Sequence, residues 1–313
     1  MVKSKSEKIE KKYDIIIVGG GSSAMSAGIY AARQKIKTLV VTREIGGQLS
    51  LITLIDNYLG FPNASGMDLI KKFSEHFNQY NLPVVKEEVH DIEKKGNSFI
   101  VKTDKNKFES KAVILATGRI SKKLNVPGEN KYYGKGISSC TICDAALFNG
   151  KTVSVIGTGD SALHAVLHLS AYAKKIYLLT KYDKLRGDKI RMEKVSNLEK
   201  QKKVEVLYQA KVTEVFGDQF LKGIKLEHNK KLRELKLDGV FIEIGMSPET
   251  EIIDFIEKNE RGEILINSKN ETNVKGIFAA GDCTNISEKQ LIVAAGEGAK
   301  AALSASRYLE TLE

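Results

Sequence analysis

Tryptophan is absent from the 313 residues, proline occurs four times and cysteine three times. No apolar run approaches the roughly 18 residues of a membrane-spanning helix. The opening stretch, MVKSKSEKIEKKYD, carries charge where a signal peptide needs an apolar core. Cysteines at 140, 143 and 283 are too few for a secreted disulfide scaffold and suit a reducing compartment. The expectation is a cytoplasmic protein without a membrane segment, in which the sequon at Asn63 has no consequence. Clustered arginine interleaved with aromatics is also missing. The formal charge of +10 and pI near 9.2 come from lysines spread along the chain among glutamates, which points to a solvated surface and not to a nucleic-acid face. No metal site is expected. Neither a second CxxC nor a CxxH accompanies Cys140 and Cys143, so tetrahedral zinc would lack half its ligands. His164 and His168 have metal-ligand spacing, but Ala165 stands where a metalloprotease has Glu and no third ligand is evident, so packing or surface roles are expected.

What the chain does have is a repeated pattern. With 42% hydrophobic residues, it has material for two α/β domains. An apolar run from Tyr13 to Val18, a Gly-rich turn, a helix from Ser22 to Gln34 and a β-rich run from Thr38 to Val41 form one strand-helix-strand unit. The order returns with a strand at Val153 to Ile156, a helix from Asp160 into Ala173 and a strand at Ile176 to Thr180. Each unit continues into a polar-turned hairpin and a β-run ending in glycine: Ser98 to Thr103 and Phe108 to Leu115 before Ala116-Thr117-Gly118, then Leu221 to Leu226 and Leu232 to Ile244 before Gly245. From Gly276 to Leu309 there is a strand, a Gly-Asp turn and a long helix without a Gly loop of its own. The expected fold class is therefore α/β, with two Rossmann-like, three-layer ββα dinucleotide-binding domains, the second inserted into the first. The expected boundaries are 1–121 and 249–313 for the first domain and 122–248 for the second.

Each unit carries the GxGxxA spacing between its first strand and its helix. In Gly19-Gly20-Gly21-Ser22-Ser23-Ala24, Gly19 permits the tight turn, Gly21 lets a pyrophosphate approach the backbone, and Ala24 allows close helix-strand packing. Gly157, Gly159, Asp160, Ser161 and Ala162 repeat the pattern. Two such loops imply two dinucleotides and hydride transfer between them. After the first unit's second strand, Glu44 is a candidate ribose partner; after the second unit's comes Thr180-Lys181-Tyr182-Asp183-Lys184-Leu185-Arg186, whose cations lean towards a 2′-phosphate. Cys140-Thr141-Ile142-Cys143-Asp144 is the sharpest motif. Two intervening residues allow a small exchangeable disulfide, and Asp144 is placed to shuttle a proton to a departing thiolate, or to cap a helix. Cys283, without a partner, is expected as a small buried residue beside the Gly281-Asp282 turn.

Together the first Gly loop, Gly46-Gly47-Gln48-Leu49, Asp56-Asn57-Tyr58, Ala116-Thr117-Gly118, the CxxC with Asp144, the second Gly loop, the Gly276 to Asp282 segment and Lys289-Gln290 resemble the low-molecular-weight thioredoxin reductase family over about Tyr13 to Leu309. The resemblance implies that the first domain holds FAD, with its pyrophosphate on the Gly19 loop. Gly47, Gln48, Leu49 and Asn57 would lie near the flavin, Gly281 and Asp282 at the ribityl-phosphate region, and Lys289 and Gln290 towards the isoalloxazine. It implies NADPH on the second domain, reduction of the Cys140–Cys143 disulfide through FAD, and delivery of electrons to a thioredoxin- or glutaredoxin-like protein by a homodimer. Cys143 would be the flavin-proximal thiol, Cys140 the one that attacks the partner disulfide, and Asp144 the acid/base. Rotation about linkers near Ser121 and Pro248 would present the flavin to nicotinamide and cysteines in turn. Members that use NADPH usually carry His-Arg-Arg and a further Arg where Thr180, Lys181, Tyr182 and Arg186 stand here, which leaves Lys181 and Arg186 to hold the 2′-phosphate and NADH or another donor as the alternative. Two further functions compete: electron donor to a peroxide-reducing system, whose members normally carry an additional N-terminal redoxin domain, and a non-catalytic redox sensor, for which a second Gly loop is superfluous.

Overall fold

The computed structural model describes residues 10–52 and 55–312. It separates into two compact units, Met1–Ile120 with Pro248–Glu313, and Ser121–Ser247.

The chain enters the first unit as strand β1 (Lys12–Val18), turns through Gly19 to Gly21 into helix α1 (Ser22–Arg33), and returns as β2 (Thr38–Thr42). After a 3-10 turn (Gly47–Leu51) come α2 (Gly66–Asn78), β3 (Val84–Lys86), β4 (Val89–Lys95), β5 (Ser98–Thr103), β6 (Lys107–Leu115) and the short β7 (Arg119–Ser121). The order β3-β2-β1-β6-β5-β4 is parallel as far as β6 and antiparallel beyond it. β1 is apolar at nearly every position because both faces are covered, as a central parallel strand requires. Ile15 and Ile17 face α1, and Ile16 and Val18 join Phe99, Val101 and Phe108 on the other side.

The second unit begins with α3 (Glu129–Tyr132), β8 (Ile137–Ser138) and α4 (Thr141–Asp144), followed by β9 (Thr152–Gly157), α5 (Asp160–Leu169), β10 (Lys175–Leu179), α6 (Lys189–Lys200) and β11 (Val204–Leu207). Then come β12 (Ala210–Gly217), β13 (Leu221–His228), β14 (Lys231–Lys236), β15 (Gly239–Glu243) and the short β16 (Met246–Pro248). A five-stranded sheet, β11-β10-β9-β15-β8, lies between α5 on one face and the antiparallel β12-β13-β14 sheet on the other. Two sequence expectations are corrected here. α5 ends at Leu169, four residues short of Ala173, with Ser170 as its C-cap. The β-run from Leu232 to Ile244 is two strands in different sheets. Leu237 still donates to Lys222 of β13, whereas Asp238 donates to Thr152 and accepts the Thr152 N–H on its carboxylate, so the chain changes partner between adjacent residues.

Back in the first unit, β17 (Ile277–Ala279) adds beside β6, and α7 (Leu291–Glu310) packs on α1. That contact is made of alanines, Ala24, Ala27 and Ala31 with Ala301, Ala302 and Ala305, and small side chains let the two helices share one face of the sheet.

Candidate functional site

In each unit the Gly loop owes its shape to a collision. A side chain on Gly19, whose φ is +128°, would run into the Ala116 carbonyl, and one on Gly157 into the Glu243 carbonyl. The third position of each loop is the opposite. Nothing lies within 4 Å of a Cβ built on Gly21, and only the Arg186 carbonyl, at 3.9 Å, near one on Gly159. The helices that follow begin without a side-chain cap, whereas Ser65 caps α2 in a full capping box and Asp188 caps α6. Open space over the loop and uncapped N–H groups at a helix start suit a phosphate group. The residues present therefore fit a dinucleotide pyrophosphate in both units.

Around the first loop the structure brings together most of the residues singled out in the sequence. Gly47 lies against Gly21, and Gly281 packs on Ser23, which with Ser22 and Ala24 is buried. Gln48 donates to the Asp282 carboxylate at 3.5 Å and approaches Gly118. Thr117 donates its hydroxyl to the Glu249 carbonyl and holds the turn after β6. Asn57 donates to Gln290 at 3.2 Å, at the start of α7. Lys289 is a brace: its ammonium donates to the Asp282 and Thr284 carbonyls and pairs with buried Glu263 at 3.1 Å. Burial raises the Glu263 carboxyl, but Asn259 and Lys289 outweigh it and hold the group below the usual range. Leu49 packs in a small core with Ile55 and Leu69. Glu44 is exposed at the end of β2, while neighbouring Arg43 pairs with Glu88 and Glu249. Cys283 is fully buried, its thiol directed at the Leu115 and Ala280 carbonyls, and burial pushes its pKa up.

In the second unit the segment after β10 folds back on the loop. Arg186 N–H donates to Thr158 at 2.9 Å, and the Thr158 and Thr180 hydroxyls share a 2.6 Å bond. Tyr182 carries both cations, with the Lys181 ammonium 5.3 Å and the Arg186 guanidinium 4.8 Å from its ring centre. Asp160 is committed: its carboxylate accepts from Asp188 N–H and from Arg191, and these bonds lower its pKa. Ala162 is buried against the loop and Ser161 is exposed.

The Cys140–Cys143 pair is a disulfide with Cα atoms 5.3 Å apart. β8 delivers Cys140 to the start of α4, where its Sγ accepts the Cys143 N–H at 3.1 Å; Cys143 is exposed and Cys140 half-buried. Asp144 ends α4 and lines a cavity of about 970 Å³ together with Lys135, Lys151, Lys222, Lys236 and Phe220. Neither that cavity nor Glu243 was legible beforehand. Glu243 ends β15 in register with Gly157, and burial pushes its pKa up to about 7. His164 and His168 have ring centres 6.4 Å apart, and His168 meets Tyr172 edge-on.

A family model described as pyridine nucleotide-disulphide oxidoreductase matches residues 13–299. The F component of the alkyl hydroperoxide reductase of Staphylococcus epidermidis is 38% identical over 302 residues, covering 95% of this chain and 59% of that protein. The chain thus spans about three-fifths of that curated relative's length. Among solved structures, the thioredoxin reductase of Lactococcus lactis is 31% identical with a TM-score of 0.82, covering 96% of this chain and 99% of that one. A ferredoxin-flavin thioredoxin reductase from Clostridium acetobutylicum is 32% identical with a TM-score of 0.54, over 96% and 99% of the two chains.

Proposed function

The chain belongs to the pyridine nucleotide-disulphide oxidoreductase family, and from that premise we propose that it is a disulfide reductase taking electrons from NADPH, through FAD, to the Cys140–Cys143 disulfide and on to a thioredoxin-like protein. The observation that carries this is the pairing, on one compact unit, of a closed CxxC disulfide with an open dinucleotide loop, in a chain whose other unit has an open loop of its own.

In this scheme the Gly19 loop and α1 hold the FAD pyrophosphate, and Asp282, fixed by Lys289 and Gln48, meets the ribityl side. The Gly157 loop holds the nicotinamide nucleotide's pyrophosphate, with Lys181 and Arg186 on its 2′-phosphate. FAD, when bound, supplies the exchange between hydride and thiol electrons. The protein divides the labour between the sulfurs. Cys143 is the more exposed residue, but Cys140 Sγ receives a backbone N–H at a helix start, which favours its thiolate once the disulfide opens. The family resemblance assigns Cys140 as the nucleophile towards the partner, Cys143 as the flavin-side thiol and Asp144 as the proton donor, and the N–H on Cys140 Sγ supports the first of these. The lysine-lined cavity beside Asp144 supports docking of a redoxin with an acidic face.

A second reading, electron donor to a peroxide-reducing system, is favoured by the 38% identity to the alkyl hydroperoxide reductase component. The test is anaerobic titration of the purified protein with NADPH and with NADH, followed by turnover with thioredoxin or peroxiredoxin disulfide. Faster flavin bleaching by NADPH and turnover with thioredoxin are expected. Bleaching by neither nucleotide refutes the nicotinamide route and leaves a protein-borne donor; turnover with peroxiredoxin alone selects the second reading. Cys140→Ser should bleach normally and fail to reduce thioredoxin, and full turnover in that variant would overturn its assigned role.

A further inference from the structure

We propose that Glu243 lies beside the nicotinamide half of the bound dinucleotide, where its carboxylate distinguishes the oxidised, cationic ring from the reduced, neutral one. The inference rests on the second unit being the nicotinamide-nucleotide domain.

In a sheet of this order, a dinucleotide crosses the strand ends from the β10 side, over the Gly loop, to the strand on the far side of β9. That strand is β15, and Glu243 is its last residue, in register with Gly157 and with its carbonyl against the Gly157 Cα. Phe241, two residues earlier, packs on Phe148 and clusters with Ala162 and Leu163 of α5. Strand alternation turns Glu243 to the same face, the one that carries the start of α5. On the other side β15 pairs with β8, Phe241 opposite Ser138, so Glu243 and Cys140 each stand two residues beyond a paired position at the same sheet edge.

The duplication supplies a comparison within one chain. The residue that packs on the first Gly loop as Glu243 packs on the second is Ala116, which is 3% exposed and apolar. The same topological place thus holds a methyl group in one unit and a carboxyl in the other. Among the described residues no charged group is paired with that carboxyl, and it has no hydrogen-bond partner. Asp160 at the start of α5 is committed to Asp188 and Arg191, and Lys122 reaches the following turn only through its backbone N–H on Gly245. Along α5, His164 is disfavoured as a cation by partial burial and by His168; on the β8 side, Asp144 lies beyond the uncharged disulfide. Burial alone sets the Glu243 pKa near 7, so its charge changes across the neutral range. A cationic ring beside it favours the ionised form, and by linkage the ionised form favours the cationic ring. A shift of one pKa unit corresponds to about a tenfold change in relative affinity.

The test uses the purified full chain and isothermal calorimetry at pH 6 and pH 8.5, with NADP⁺ and with 1,4,5,6-tetrahydro-NADP, a neutral analogue that cannot donate hydride. The 2′-phosphate is common to both ligands and cancels in the ratio of their dissociation constants. In the wild type, a one-unit shift should make the preference for NADP⁺ over the analogue grow about fivefold between the two pH values. In Glu243→Gln the ratio should stay flat at the wild type's pH 6 value. Binding with a flat ratio in the wild type, or with an equal rise in the variant, overturns the Glu243 assignment alone. Where neither ligand binds, the same pair is run as NAD⁺ and its tetrahydro analogue, and binding of none of the four overturns the nicotinamide-domain reading and this inference with it.

Discussion

With NADPH as the proposed donor, replacing Arg186 by Ala should slow the reaction with NADPH and change little else. Arg186 N–H holds the Thr158 carbonyl through the backbone, so alanine keeps the loop in place. What is lost is a guanidinium that rests on Tyr182 at 4.8 Å and projects from the segment following β10. A charge-assisted contact to phosphate contributes about 1.5–3 kcal/mol in a protected site. Arg186 is exposed, which reduces this to about 1–2 kcal/mol. At 1.36 kcal/mol per decade, kcat/KM for NADPH should fall about 5- to 30-fold, while NADH, lacking the 2′-phosphate, should change less than about twofold. The assay is anaerobic stopped-flow reduction of the flavin by each nucleotide at low ionic strength, since salt screens an exposed contact. Equal losses with both nucleotides would show that Arg186 supports the loop and not the phosphate. No loss with NADPH would place the 2′-phosphate elsewhere.

Gly19→Val puts a side chain into the Ala116 carbonyl at a φ of +128°, so the variant should purify depleted in flavin, read as the ratio of 450 to 280 nm absorbance, and lose at least about 2 kcal/mol of stability in urea unfolding. Glu243 has a folded-state pKa raised to about 7 from 4.5, so its contribution to stability is fully present below pH 4.5 and is lost as pH rises through 7. Glu243→Gln should therefore leave stability at pH 5 nearly unchanged and raise it at pH 8.5 by about 1–3 kcal/mol, measured by urea midpoints, a difference that disappears if the carboxyl is hydrated. Buried Cys283, its thiol pKa raised by burial, should resist iodoacetamide, so the reduced native protein should gain two alkyl groups by mass spectrometry and the unfolded protein three. Three in the native state would show that Cys283 is reachable.

Some residues announced their places because a backbone constraint forced their identity. Gly19 and Gly157 are glycines because the end of the next strand lies against them, and that necessity leaves a recognisable spacing in the chain. Others stand in the expected neighbourhood, and there each also makes a contact within the protein that the sequence did not announce. Asp160 has the position of a ligand contact, yet its carboxylate fastens Asp188 and Arg191; Lys289 holds the carbonyls that set Asp282; Leu49 packs among Ile55 and Leu69. Local sequence does not separate a side chain that touches a ligand from one that positions its neighbour, because both occur beside the same glycines. The break at Leu237 and Asp238 was hidden for a related reason. Both sides of it are apolar β-runs, and only the exchange of partner from Lys222 to Thr152 divides them.

Glu243 shows where such constraints end. Its local sequence, Phe241-Ile242-Glu243-Ile244, is an alternating strand with one polar position, and in an exposed edge strand that glutamate would be unremarked. Its charge becomes consequential because β15 is inserted between β9 and β8, a pairing between residues more than eighty positions apart on one side and more than one hundred on the other. That insertion places the carboxyl at the edge shared by the Gly157 loop and the cysteine pair, where it is half-buried and its pKa is pushed up to about 7. The phosphate cradles follow from collisions that only glycine avoids. The chemistry facing the redox-active half of the ligand follows from which strands become neighbours, and in the two halves of this chain the same neighbourhood holds Ala116 in one and Glu243 in the other.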